Sequence, residues 1–207
     1  MNKVIAIDRP KGRNKKITIQ LADGYTFALS NETAAEMNLH QGQALSPRDI
    51  ETLERADSIR QSINTALRYL APRPRSEAEI AVKLRRSGFN NDIIQQALSY
   101  LKKKGLIDDN AFATFWRENR EAHRPKSRRL LELELRQKGV DSETISEAIS
   151  DVDDQYNAYR IAKSKKDRQV DQNYLQYSKS IRSLLQRRGF SSELIYNTID
   201  QVWQESD

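Results

Sequence analysis

The chain contains no cysteine, which removes disulfides, thiolate metal sites and cysteine nucleophiles together and agrees with a reducing compartment. Histidine is nearly as scarce: His40 and His123 stand far apart, and no HExxH zinc motif can be built from them. The seven glycines nowhere form a phosphate-cradling loop, and no serine sits in a nucleophile elbow. No run of about 18 apolar residues offers a membrane span. Within Met1 to Pro10 only Val4 to Ile7 is continuously apolar, too short for the core of a secretion signal. The expectation is a cytoplasmic protein that is not an enzyme, with no cofactor, no bound metal and no membrane partner.

What the chain has in quantity is charge. Its 207 residues carry 35 basic and 29 acidic side chains, a net +6. The excess is uneven, with nine basic against five acidic residues in Gln61 to Asn110. Such a surplus tilts toward an anionic partner, nucleic acid or nucleoprotein, although a solvated face of helix-forming Lys, Arg and Glu is the ordinary explanation.

The first part reads as a small β unit. Ile17, Ile19 and Leu21 alternate with Thr18 and Gln20; Asp23-Gly24 supplies a hairpin turn; Tyr25, Phe27 and Leu29 resume the alternation, and Val4 to Ile7 adds a third strand. The intervening Arg9 to Lys16 is a basic loop. A short helix is expected from Asn31 toward Met37. Ser46-Pro47-Arg48-Asp49 then opens a longer helix, whose stripe of Ile59, Ile63, Ala66, Leu67 and Leu70 ends at Pro72.

The remainder repeats itself. With Gly88, Gly139 and Gly189 in register, six apolar columns superpose: Ile80/Leu131/Ile181, Leu84/Leu135/Leu185, Phe89/Val140/Phe190, Ile94/Ile145/Ile195, Leu98/Ile149/Ile199 and Leu101/Val152/Val202. The first two columns share a helical face and the glycine ends that helix. Asn90, Asp141 or Ser191 caps the next one. Each repeat is therefore a set of three helices that completes its core against its neighbour. The fold class is mainly α, three tandem three-helix repeats behind a β-hairpin or three-stranded unit. The boundaries are 1–57 for the β unit with short helices, then 58–109, 110–155 and 156–207 for the repeats.

Arg73-Pro74-Arg75-Ser76 and Arg124-Pro125-Lys126-Ser127 precede their glycines at identical distances, each serine capping a middle helix. The third repeat has Tyr174-Leu175-Gln176-Tyr177 there, preceded by a charged stretch, Lys163 to Asp171, read as a longer loop. Basic residues also close the middle helices: Arg85 and Arg86, Arg136 and Lys138, Arg187 and Arg188. Dipole stabilisation alone explains them. Stacked repeats would nonetheless line them into a basic edge, so with Arg73, Arg75, Arg124 and Lys126 they form the candidate partner- or nucleic-acid-binding set. Asp108-Asp109 is the best carboxylate pair, but it directly precedes the helix of Phe112, Ala113 and Trp116 and reads as a cap before it reads as the metal site of a nuclease. Phe115 and Trp116 cannot both face one core.

These residues carry a resemblance. Arg73-Pro74-Arg75-Ser76-Glu77 with Glu79, Leu84 and Gly88, then Gly105-Leu106-Ile107-Asp108-Asp109 with Phe112, Ala113, Trp116 and Arg120, then Leu133-Glu134-Leu135-Arg136-Gln137-Lys138-Gly139, resemble the RecX family over Ala66 to Val202. The resemblance implies an elongated, curved stack of repeats. It also implies a regulator that binds RecA and RecA–single-stranded DNA filaments and restrains ATP hydrolysis, strand exchange and the coprotease activity behind the SOS response. The expected species is a monomer. The competing reading is a direct nucleic-acid-binding module, since three-helix units are similar to helix-turn-helix domains.

Overall fold

The computed structural model describes residues 2–9, 16–168 and 173–205. Most of the basic loop Arg9 to Lys16 lies outside them. The described chain separates into two compact bodies, residues 1–73 with 80–106, and residues 74–79 with 107–207.

The first body begins with strands β1 (Asn2–Asp8), β2 (Ile17–Leu21) and β3 (Thr26–Leu29), followed by helix α1 (Asn31–Glu36), strand β4 (Ala44–Leu45) and helix α2 (Pro47–Leu70). The sheet is antiparallel in the order β3-β2-β1-β4. Alternation decides its buried face: Ile17, Ile19, Leu21, Phe27 and Leu29 pack with Val4, Leu45 and Leu53. Tyr25 departs from the expected alternation because it belongs to the turn, where its N–H donates to Asp23 Oδ1 at 3.0 Å. The expected three strands become four; β4 has two residues, too few to show any periodicity.

Helix α2 opens on a capping box in which Ser46 Oγ accepts from Asp49 N at 3.2 Å and Ser46 N donates to Asp49 Oδ2 at 2.7 Å. Its 24 residues extend about 36 Å, long enough to touch both the sheet and the first repeat. The link to the sheet is Asp57, only 2% exposed. It accepts from Ser30 N at 2.9 Å, from Thr33 Oγ1 at 3.0 Å and from Gln61, and it pairs with Lys16 at 3.7 Å. A buried carboxylate with this many donors pins α1 to α2.

The repeats follow as α3 (Glu77–Arg86) and α4 (Asn91–Lys103); α5 (Asp109–His123), α6 (Arg128–Gln137) and α7 (Ser142–Ala148); α8 (Asp154–Asp167), α9 (Tyr174–Arg187) and α10 (Ser192–Gln204). Every residue of the six apolar columns is buried except the half-buried Phe89. Asn90, Asp141 and Ser191 cap α4, α7 and α10 as the spacing predicts. The chain is thus mainly helical, with three-helix repeats behind a small antiparallel strand unit.

The third repeat differs for a physical reason. Without a proline, α9 runs back one extra turn to the cap Asn173, and Tyr177, in the register of Ser76 and Ser127, lies inside the helix and is fully buried. Burial, then the charge of Asp167, pushes its hydroxyl pKa well up. The stretch read as a loop from Lys163 is helical through Asp167, and residues 169–171 lie outside the described part.

Candidate partner-binding surface

Ser76 and Ser127 do more than cap their helices. Ser76 Oγ accepts from Glu79 N at 3.2 Å and donates to Lys138 O at 2.5 Å; Ser127 Oγ accepts from Leu130 N at 3.2 Å and donates to Gly189 O at 2.8 Å. A hydroxyl has one donor and two acceptor sites, so one serine serves both its own helix and the carbonyl that ends the middle helix of the following repeat. An aspartate at the start of the following repeat's first helix completes the junction. Asp109 Oδ1 accepts from Glu77 N at 2.9 Å and Asp154 Oδ1 from Arg128 N at 2.7 Å. Burial raises the pKa of Asp154, against the lowering effect of Arg128.

Asp108 Oδ1 meanwhile accepts from Asn110 N at 2.8 Å and Ala111 N at 3.2 Å. Both carboxylates of the pair are therefore taken up by helix N-termini. No group of three His, Cys, Asp or Glu residues is placed to hold a metal among the described residues.

Around the second repeat's middle helix several polar residues converge on Glu134. Its Oε2 accepts from Trp116 Nε1 at 3.0 Å and Arg120 Nε at 2.9 Å, and its Oε1 accepts from Arg120 Nη2 at 3.3 Å and from Lys126. Burial alone raises the Glu134 pKa, but the hydrogen bonds from Lys126, Trp116 and Arg120 outweigh it and the net shift is downward. The Trp116 ring is covered by the Arg120 guanidinium at 4.6 Å and the Lys138 ammonium at 5.0 Å. Lys138 Nζ also pairs with Glu79 at 2.9 Å, beside Arg75 at 3.9 Å from the same carboxylate. Phe115 and Trp116 are both half-buried.

The ten candidate residues therefore fall into two groups. Arg75, Lys126 and Lys138 turn toward internal carboxylates, and Arg73 is half-buried near them in sequence. Arg188 is half-buried and donates to Pro125 O at 3.2 Å. Arg85, Arg86, Arg124, Arg136 and Arg187 are exposed. Of these, Arg136 pairs with Glu132 at 2.6 Å, Arg187 donates to Ser183 Oγ at 2.6 Å, and Arg85 reaches Asn91 at 3.4 Å. The Arg136 and Arg187 contacts are one-turn surface contacts, and exposed contacts of this kind are weak, about 0.2 to 1 kcal/mol, and yield readily to a partner. The sequence names Glu134 only within the RecX resemblance and gives it no role, because its partners lie eight, fourteen and eighteen residues away, beyond one helix face.

Comparison with known proteins agrees with this architecture. Residues 63–101 match the RecX first three-helix domain and 108–149 the second. Regulatory protein RecX of Mycolicibacterium smegmatis is 32% identical over 164 residues, 74% of this chain and 87% of the relative. That of Bacillus subtilis is 27% identical, covering 99% of this chain and 78% of the relative. A crystal structure of regulatory protein RecX superposes with a TM-score of 0.68 at 24% identity, covering 97% of this chain and all of that one. RecX from Lactobacillus salivarius gives 0.60 at 25% identity, over 72% of this chain and 99% of the other. With the repeats, their junctions and these likenesses in agreement, the chain belongs to the RecX family.

Proposed function

We propose that the chain is a non-catalytic regulator of RecA: it binds RecA and RecA–single-stranded DNA filaments and mainly restrains ATP hydrolysis, strand exchange and coprotease activity, acting in the cytoplasm. The observation that supports this reading best is the set of exposed arginines, Arg85 with Arg86, Arg136 and Arg187, in the last turns of the three middle helices. Repetition gives a protein several similar contacts, and several weak contacts engage a polymer of identical subunits far better than a free protomer. A ligand that binds one filament state better than another shifts the filament toward it without any chemistry of its own. That no helix among the described residues is long and apolar enough to cross a membrane fits such a role.

The test is a titration of the DNA-stimulated ATPase of RecA from the same organism. Inhibition well below one regulator per RecA is expected; unchanged hydrolysis at equimolar protein defeats the proposal. If the chain instead binds DNA without RecA, with affinity falling steeply as salt rises, the nucleic-acid-binding reading replaces it.

A further inference from the structure

Where α5 ends, the second half of α8 and the last turns of α9 border a cleft of about 350 Å³. Its polar lining is His123, Arg160, Ser164, Lys165, Arg168 and Arg188, with no carboxylate among the described residues. Two of the guanidiniums are held in place by backbone carbonyls, Arg160 by Glu121 O and Arg188 by Pro125 O at 3.2 Å. The Glu121 carboxylate lies 3.9 Å from Arg117. Burial, followed by the charges of Arg124 and Arg187, lowers the Arg188 pKa, so the cation is held where its own surroundings disfavour it.

Helix dipoles do not balance this charge. The C-termini of α5, α8 and α9 together supply about one and a half negative charges, roughly half from each. The lining holds four side chains that are cationic at neutral pH, Arg160, Lys165, Arg168 and Arg188. A guanidinium tethered through one N–H keeps its other donors free for a planar or tetrahedral oxyanion. One carboxylate would neutralise only one of these cations, whereas a chain of phosphates carries enough negative charge to meet several of them.

We propose that this cleft is a phosphate-binding site, taking the oxyanions of linked phosphates from a nucleic-acid backbone or a free oligophosphate. Apart from Arg188, its arginines and lysine lie on or directly after α8, outside the arginine edge, and the proposal does not depend on the RecA reading.

The experiment is calorimetry of the full chain with inorganic tripolyphosphate at about 0.15 M salt, where long-range surface attraction is largely screened. Saturable binding is expected, weakened about tenfold by Lys165→Gln with Arg168→Gln and unaffected by Arg85→Gln with Arg86→Gln. The first pair of changes leaves the Arg160 and Arg188 tethers intact, and tryptophan fluorescence checks the fold; should the pair unfold, Arg168→Gln alone is read instead. A labelled single-stranded oligonucleotide that tripolyphosphate displaces, and that the cleft variant binds equally poorly, identifies nucleic acid as the source. An oligonucleotide insensitive to both identifies a free oligophosphate. Absence of tripolyphosphate binding, binding unchanged in the cleft variant, or equal affinity for a polyglutamate peptide overturns the proposal.

Discussion

Gly139 and Ala78 stand so close that a β-carbon on the glycine would lie 2.3 Å from the β-carbon of the alanine. Gly139 also has φ +77°, a conformation other residues resist. Gly88, in the same register with φ +90°, has nothing within 4 Å of such a β-carbon. Gly88→Ala should therefore cost only the left-handed strain, about 1 to 2 kcal/mol. Gly139→Ala adds about 1 to 3 kcal/mol of overpacking. Both tryptophans, Trp116 and Trp203, lie in the second body, so urea denaturation read by their fluorescence reports Gly139→Ala, with circular dichroism for Gly88→Ala. Combining Gly139→Ala with Ala78→Gly should recover part of the loss, and no recovery would show that the contact is not the cause.

The junction serines give a second comparison. Ser127→Ala removes a buried cap and leaves the Gly189 carbonyl without its hydroxyl donor, for a loss of about 1 to 3 kcal/mol. Asn173→Ala at the exposed cap of α9 should cost about 1 kcal/mol or less. Equal losses in fluorescence-monitored urea melts would mean the serine acts only on its own helix.

Glu134 sets a pH dependence. Its folded-state pKa lies below the ordinary glutamate value of 4.5. Its contribution to stability is thus fully present above that value and is lost as pH falls through the lower folded value. Glu134→Gln should be less stable than the native chain at neutral pH by about 1 to 3 kcal/mol. The difference should shrink below the ordinary glutamate range, where the native carboxylate protonates. A gap that stays constant down to about pH 3 would assign the loss to shape rather than charge.

The exposed pair Arg85 and Arg86 tests the basic edge. Changing both to Glu should leave α3 formed, because charges at a helix C-terminus are worth only about 0.3 to 1 kcal/mol each. Inhibition of the RecA ATPase should be lost at moderate salt with little change in the thermal midpoint. Unfolding would make these arginines structural, and normal inhibition would place them away from the contact.

The repeats were legible because burial imposes the same apolar positions three times. The caps were legible because side chains such as Asn90, Asp141 and Ser191 answer a need set within a few residues. What escaped sequence reading depends on distance along the chain. The Ser76 hydroxyl meets Lys138 O and Trp116 meets Glu134 across intervals that no local pattern covers. The same holds for charge: Arg85 and Lys138 both follow from one helix-end pattern, yet only the first is exposed, while the second finds Glu79. The basic cleft is assembled from three helices without any shared spacing.

The serine junction also gives the array a direction. Ser76 and Ser127 reach forward to a carbonyl at the end of the next middle helix, so the second repeat presents a donor side and an acceptor side that are not interchangeable. At the corresponding places in the terminal repeats, nothing lies within 4 Å of a β-carbon built on Gly88, and Asn173, capping α9, is exposed where Ser76 and Ser127 are buried. Head-to-tail contacts of this kind join any donor side to any acceptor side. A duplicated middle repeat inserted between Val152 and Asp153 would therefore meet compatible partners on both flanks, which makes length a variable this architecture can change without redesigning its core.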